Sequence, residues 1–160
     1  MKRSLLALAL PVLAIGVAAC GDSGGDSSSA AAPAPSSSAA TVELENTGFG
    51  RVLADGDGRT LYLFEKDKGR ESTCFGACAA AWPPLTTSGK PQAAKGIAAA
   101  KLGTISRGGG VEEVTYNGHP LYFYAGDSGP GQTNGQGLDQ FGAEWYVLSA
   151  AGSKVEKGGS

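Results

Sequence analysis

The 160-residue chain is poor in the residues on which most catalysis depends, with one histidine, one methionine and three cysteines. A lone His119 with no placed nucleophile makes no triad, so acyl-transfer chemistry has no support. Charge is sparse, 18% of residues with acidic slightly ahead of basic. The lysines and arginines do not gather into the basic footprint of a nucleic-acid binder, so no nucleic-acid partner is expected. Cys74 and Cys78 lack the Cys-x-x-Cys redox spacing, and no βαβ pattern surrounds them. Asp55-x-Asp57 opens like a calcium loop, but no acidic residue stands at the twelfth position. The Gly-rich stretch 129–137 has neither the Lys-Ser/Thr of a phosphate loop nor a dinucleotide fingerprint, so both segments read as turns. The apolar run at residues 5–17 falls short of the roughly 20 residues a membrane-spanning helix needs.

That run does fit a secretory signal peptide over residues 1–19, with Lys2 and Arg3 as its positive start. Val17-Ala18-Ala19-Cys20-Gly21 resembles the bacterial lipobox. The resemblance implies that Cys20 is acylated and becomes the mature N-terminus. The lipid bilayer is then a partner, and two or more acyl chains hold a protein there stably. The alternative is a plain secreted protein cut near Ala19. Residues 20–40 are almost all Ser, Ala, Gly, Asp and Pro, too apolar-poor to offset ordering entropy. They read as a disordered tether reaching about 25 Å. With Cys20 on lipid, Cys74 and Cys78 remain as one pair in an oxidising compartment.

The remainder is organised around a duplication. Gly58-Arg59-Thr60-Leu61-Tyr62-Leu63-Phe64-Glu65-Lys66-Asp67 and Gly118-His119-Pro120-Leu121-Tyr122-Phe123-Tyr124-Ala125-Gly126-Asp127 share the pattern Gly-x-x-Leu-Tyr-x-aromatic-x-x-Asp. Each follows a turn dipeptide (Asp57-Gly58, Asn117-Gly118), and each is followed by a tryptophan, Trp82 or Trp145. Such a repeat sets the fold. The expectation is a mainly-β, single compact domain over residues 41–152, built from two tandem hairpin-based repeats (about 46–88 and about 103–150) with one or two short helices, before a frayed tail at 153–160. Strands are expected near 41–44 and 49–54, over 60–65, at 104–106, over 113–116 with a return at 121–124, and over 144–149. In extended geometry Tyr62 and Phe64 share one face and Leu61 and Leu63 the other, indicating a strand covered on both sides. A short helix over 74–82 is capped by Ser72 or Thr73 and stopped by Pro83-Pro84. Residues 90–95 form a polar connector, 96–102 one or two helical turns, and 126–137 a long loop.

Both Tyr62-x-Phe64-x-x-Asp67 and Tyr122-x-Tyr124-x-x-Asp127 fit Y-x-[FWY]-x-x-D. With Cys74-x-Gly76-x-Cys78-Ala79, Trp82-Pro83-Pro84-Leu85, Leu102-Gly103-Thr104, Val114-Thr115-Tyr116-Asn117-Gly118 and Asn134-Gly135-Gln136-Gly137, the chain resembles bacterial lipoproteins built from the "secreted repeat of unknown function". The resemblance implies an envelope location and lends no activity. It covers nearly everything from Phe49 to Leu148. One departure is Arg107-Gly108-Gly109-Gly110-Val111-Glu112-Glu113, where the family pattern has an Asp-Gly turn and a Gln.

Two readings apply to the motif. Asp67 and Asp127 form a carboxylate pair beside aromatic walls (Tyr62, Phe64, Trp82, Tyr122, Tyr124, Trp145), suited to a cation or sugar. Otherwise the aromatics are core and each Asp bonds backbone amides where its strand turns away. Cys74 and Cys78 form a structural disulfide, a reactive pair, or, with His119, a soft site for copper(I). The leading function is a membrane-anchored, non-catalytic binding or structural module with no cofactor and no resident metal, its protein or small-molecule partner unknown. The alternative is a thiol-redox or copper-handling protein using Cys74, Cys78 and His119.

Overall fold

The computed structural model describes residues 38–157. The expected signal peptide, Cys20 and most of the expected tether lie outside the described residues. The described chain is mainly β. It runs β1 (Thr41–Thr47), β2 (Gly50–Asp55), β3 (Tyr62–Phe64), α1 (Ala77–Ala81), β4 (Thr86–Thr87), β5 (Gln92–Ala93), a 3-10 turn (Ala99–Lys101), β6 (Leu102–Ser106), β7 (Glu112–Tyr116), β8 (His119–Pro120), β9 (Asp139–Gln140) and β10 (Ala143–Val147).

These strands form three small sheets ordered β2-β1-β5, β3-β10-β9 and β4-β7-β6, with β8 added to β7. The sheets are stitched together by backbone bonds: Leu53 N–H to the Leu148 carbonyl, Leu61 N–H to that of Leu53, and Leu121 N–H to that of Val114. Asn117 and Gly118 both hold positive φ, 51° and 85°, the conformation a tight two-residue hairpin demands. The alternation within residues 61–64 has its expected result. Leu61 and Leu63 enter an aliphatic cluster with Val42, Leu53, Leu85, Val114, Leu121 and Leu148. Tyr62 and Phe64 enter an aromatic one with Trp82, Tyr122, Trp145 and Val147.

Four details differ from expectation. The helix covers only residues 77–81 and begins at Gly76, with no side-chain cap, because Ser72 and Thr73 are engaged elsewhere. The polar connector contains β5, which pairs parallel with β1. Residues 121–124 make isolated bridges instead of a continuous strand, Tyr122 bridging both Tyr62 and Pro84. The ends are also more ordered. Ala40, placed in the tether, is buried; its N–H donates to Thr87 Oγ1 at 2.9 Å. The tail is tied back at residues 154 and 155, where Lys154 bridges Leu148 and Val155 N–H bonds the Val147 carbonyl.

Candidate functional site

The two motif copies meet at their first tyrosines. Tyr62 N–H donates to the Tyr122 carbonyl at 2.8 Å and Tyr122 N–H returns to the Tyr62 carbonyl at 3.0 Å. From this crossing each hydroxyl reaches the other copy's aspartate: Tyr62 to Asp127 Oδ2 and Tyr122 to Asp67 Oδ2, each 2.6 Å. The second carboxylate oxygens hold the loops that follow. Asp67 Oδ1 accepts from Thr73 N–H and Thr73 Oγ1, both at 2.7 Å, and Asp127 Oδ1 accepts from Asn134 N–H at 2.9 Å.

The ring contacts repeat the exchange. Trp82 and Trp145 stack at 3.9 Å between centroids, 5° from parallel. Phe64 stacks on Trp145 at 4.0 Å, and Tyr124 lies against Trp82 at 4.5 Å. Tyr62 and Tyr122 present their edges to Trp82 and Trp145 respectively, the geometry ring quadrupoles favour. Gln140 takes both indole protons, Trp82 Nε1 on its side-chain oxygen and Trp145 Nε1 on its carbonyl. Gly135 closes the stack. A Cβ there would lie 2.7 Å from the Trp82 ring and 3.0 Å from Tyr62 Cζ, so no larger residue fits.

All eight motif residues are therefore gathered in one place, as core and as strand-end turns. Burial, reinforced by the acidic partner, pushes the Tyr62 hydroxyl well above its usual range, and burial does the same for Tyr122. Both tyrosines hold their protons at neutral pH and act as hydrogen-bond donors, not as acid–base groups.

The centre extends on one side through residues for which the sequence suggested other roles or none. Ser72 Oγ lies 2.7 Å from the Tyr122 oxygen. Since the Tyr122 hydroxyl donates its hydrogen bond to Asp67, Ser72 is the donor in the contact between Ser72 and Tyr122. Arg107 donates to Ser72 Oγ at 2.5 Å and to Glu113 Oε2 at 2.7 Å, and also to the Cys74 carbonyl, while its guanidinium covers the Phe75 ring. Glu113 is fully buried, and its Oε1 has no hydrogen-bond partner among the described residues. Arg107 and Glu113 are the ends of the segment that departs from the family pattern. The available signal was a glutamate inside a strand covered on both faces.

Burial raises the Glu113 carboxyl to about 7, against the opposing pull of Arg107 and with a smaller push from Asp67. An unfolded glutamate loses its proton near 4.5, so between these values the native state binds more protons than the unfolded chain. Stability is then greatest below about 4.5 and falls as pH rises through about 7. Urea unfolding at several pH values is expected to show this decline, on the order of 3 kcal/mol in all. Glu113→Gln should remove it, and an unchanged slope in that variant would contradict the assignment.

Cys74 and Cys78 form a disulfide with Cα atoms 5.2 Å apart, both residues buried. The redox or copper alternative is not supported, because no thiolate is left to join His119. His119 lies elsewhere, lining an open cleft of about 460 Å³ with Asp67, Lys68, Asn117, Ser153 and Lys154. Burial lowers its pKa, partly offset by Asp67. Among the described residues, no group of three or more His, Cys, Asp or Glu is placed to hold a metal, and no helix is long and apolar enough to cross a membrane.

A family model described as "Secreted repeat of unknown function" matches residues 45–86 and 103–149, the two halves that exchange these contacts. No curated protein and no solved structure matches the chain.

Proposed function

Because the chain belongs to the family of secreted repeats of unknown function, we propose that it is an extracytoplasmic lipoprotein. Acylated Cys20 holds it on the cell membrane, and its two-repeat domain is a non-catalytic binding or structural module. The observation that carries the second half is the mutual commitment of the motif groups. The two hydroxyls, two carboxylates and two indoles bond or stack with one another, which builds a rigid platform and leaves ligand contact to the surrounding clefts. The first half rests on the positive start, the short apolar run and the small residues preceding Cys20.

The test is fractionation of cells expressing the full chain or Cys20→Ala, with a labelled fatty acid supplied. The unaltered chain is expected to sediment with membranes and carry label, and the variant to lose the label and leave the membrane fraction. A chain that remains unlabelled and soluble with Cys20 intact overturns the anchoring.

A further inference from the structure

A second concavity lies apart from the exchanged motif contacts. It is a cleft of about 310 Å³ where the 3-10 turn enters β6 beside β7. Its charged lining consists of Arg70 and Lys101, with no acidic residue, in a chain whose acidic residues outnumber its basic ones. Among the described residues, neither cation is paired with a carboxylate. Arg70 Nη2 donates to the Thr104 carbonyl at 3.3 Å, Lys101 Nζ donates to that of Ala151, and the ion pairs among the described residues involve Arg107 and Lys154.

The floor is Gly103, which faces Thr115 in the β6–β7 register. A methyl group on Gly103 would stand 3.0 Å from Thr115 Oγ1 and 3.4 Å from Arg70 Nη2. The missing side chain thus leaves a spot on which a hydroxyl and a guanidinium converge. Thr115 is only 2% exposed, and its hydroxyl faces the position a Gly103 side chain would fill.

We propose that this cleft binds a phosphate group. Guanidinium, ammonium and hydroxyl come from three separate elements: the loop after β3, the 3-10 turn and β7. Donors converging from different directions suit a tetrahedral oxyanion better than a planar carboxylate, and the guanidinium fork matches phosphate oxygens in pairs. The volume is at the lower end of small-molecule sites, which begin near roughly 300 Å³, so the cleft takes one phosphate-sized headgroup. Free phosphate and the headgroup of an anionic phospholipid share that chemistry. The inference deepens the binding-module reading by giving it a ligand class, and it does not depend on acylation.

The experiment uses the full chain carrying Cys20→Ser, so that no acyl chain brings it to lipid. Inorganic phosphate is titrated calorimetrically at low salt, and sedimentation with phosphatidylglycerol vesicles is compared with phosphatidylcholine vesicles. Saturable phosphate binding that Arg70→Gln weakens at least tenfold identifies a free-phosphate site. Sedimentation with phosphatidylglycerol alone, lost in Arg70→Gln, identifies a lipid-headgroup site. Gly103→Ala, which fills the floor, should act like Arg70→Gln, and the melting temperature of exposed Arg70→Gln should match the parent. Binding of neither probe, or binding indifferent to both substitutions, overturns the proposal. Loss of membrane anchoring in the fractionation experiment would leave this result standing, so the two failures are distinguishable.

Discussion

Replacing Trp145 with alanine is expected to lower the unfolding free energy by about 3–5 kcal/mol, the range for truncating a fully buried tryptophan. Small domains have only about 5–15 kcal/mol in total, so this variant should lie close to its unfolding threshold. Trp145 is completely buried. It is stacked on Phe64 and on Trp82, meets the edge of Tyr122, and donates to the Gln140 carbonyl at 3.1 Å. Trp82→Ala should cost a similar amount, because Trp82 stands in the mirrored position between Trp145 and Tyr124. The double variant should lose less than the two single losses combined, since both remove one shared stack. Urea denaturation followed by far-ultraviolet circular dichroism measures all three. A Trp145→Ala unfolding free energy within about 0.5 kcal/mol of the parent's, the scatter of ordinary surface substitutions, would show that the stack does not hold the repeats together.

The second large effect is unequal between two residues that the sequence pattern treats as equivalent. Asp67→Asn is expected to lose about 2–3 kcal/mol and Asp127→Asn about half of that, on the scale of hydrogen bonds to charged groups. Asp67 is buried and accepts three hydrogen bonds, from Tyr122, Thr73 N–H and Thr73 Oγ1. An amide in its place turns an N–H toward one of those donors, and burial limits how far solvent can relieve the conflict. Asp127 is half-exposed and accepts two, from Tyr62 and Asn134, so solvent can replace part of what is lost. Equal losses would mean that the burial difference does not matter. Unchanged stability in both variants would return the carboxylates to the ligand-binding reading.

The repeat pattern carried much of this into view. The alternation at Leu61, Tyr62, Leu63 and Phe64 was enough to place one strand between two apolar layers, and Asn117-Gly118 was enough to place a hairpin. The exchange of partners was not legible, because a pattern repeated in sequence says nothing about whether Tyr62 meets Asp67 or Asp127. That choice is made by the antiparallel crossing of Tyr62 and Tyr122, a contact between residues far apart in the chain. Local rules misdirected Ser72 and Thr73 for a related reason. Both have the chemistry of a helix cap, but Thr73 is bonded to Asp67 and Ser72 to Tyr122 instead. Arg107 and Glu113 stood out only as the ends of a departing segment, because their pairing follows from burial, which the surrounding glycines conceal.

The reciprocity at the centre has a meaning for symmetry. Each copy offers a hydroxyl and receives one at its carboxylate, which is the self-complementary relation that defines an isologous twofold contact between identical subunits. Here both halves travel on one polypeptide, so the association is intramolecular and its occupancy is independent of protein concentration. Freed from identical-subunit constraint, one half has acquired the Arg107–Glu113 pair and the other the disulfide, a division of labour that a strict homodimer has no means to express.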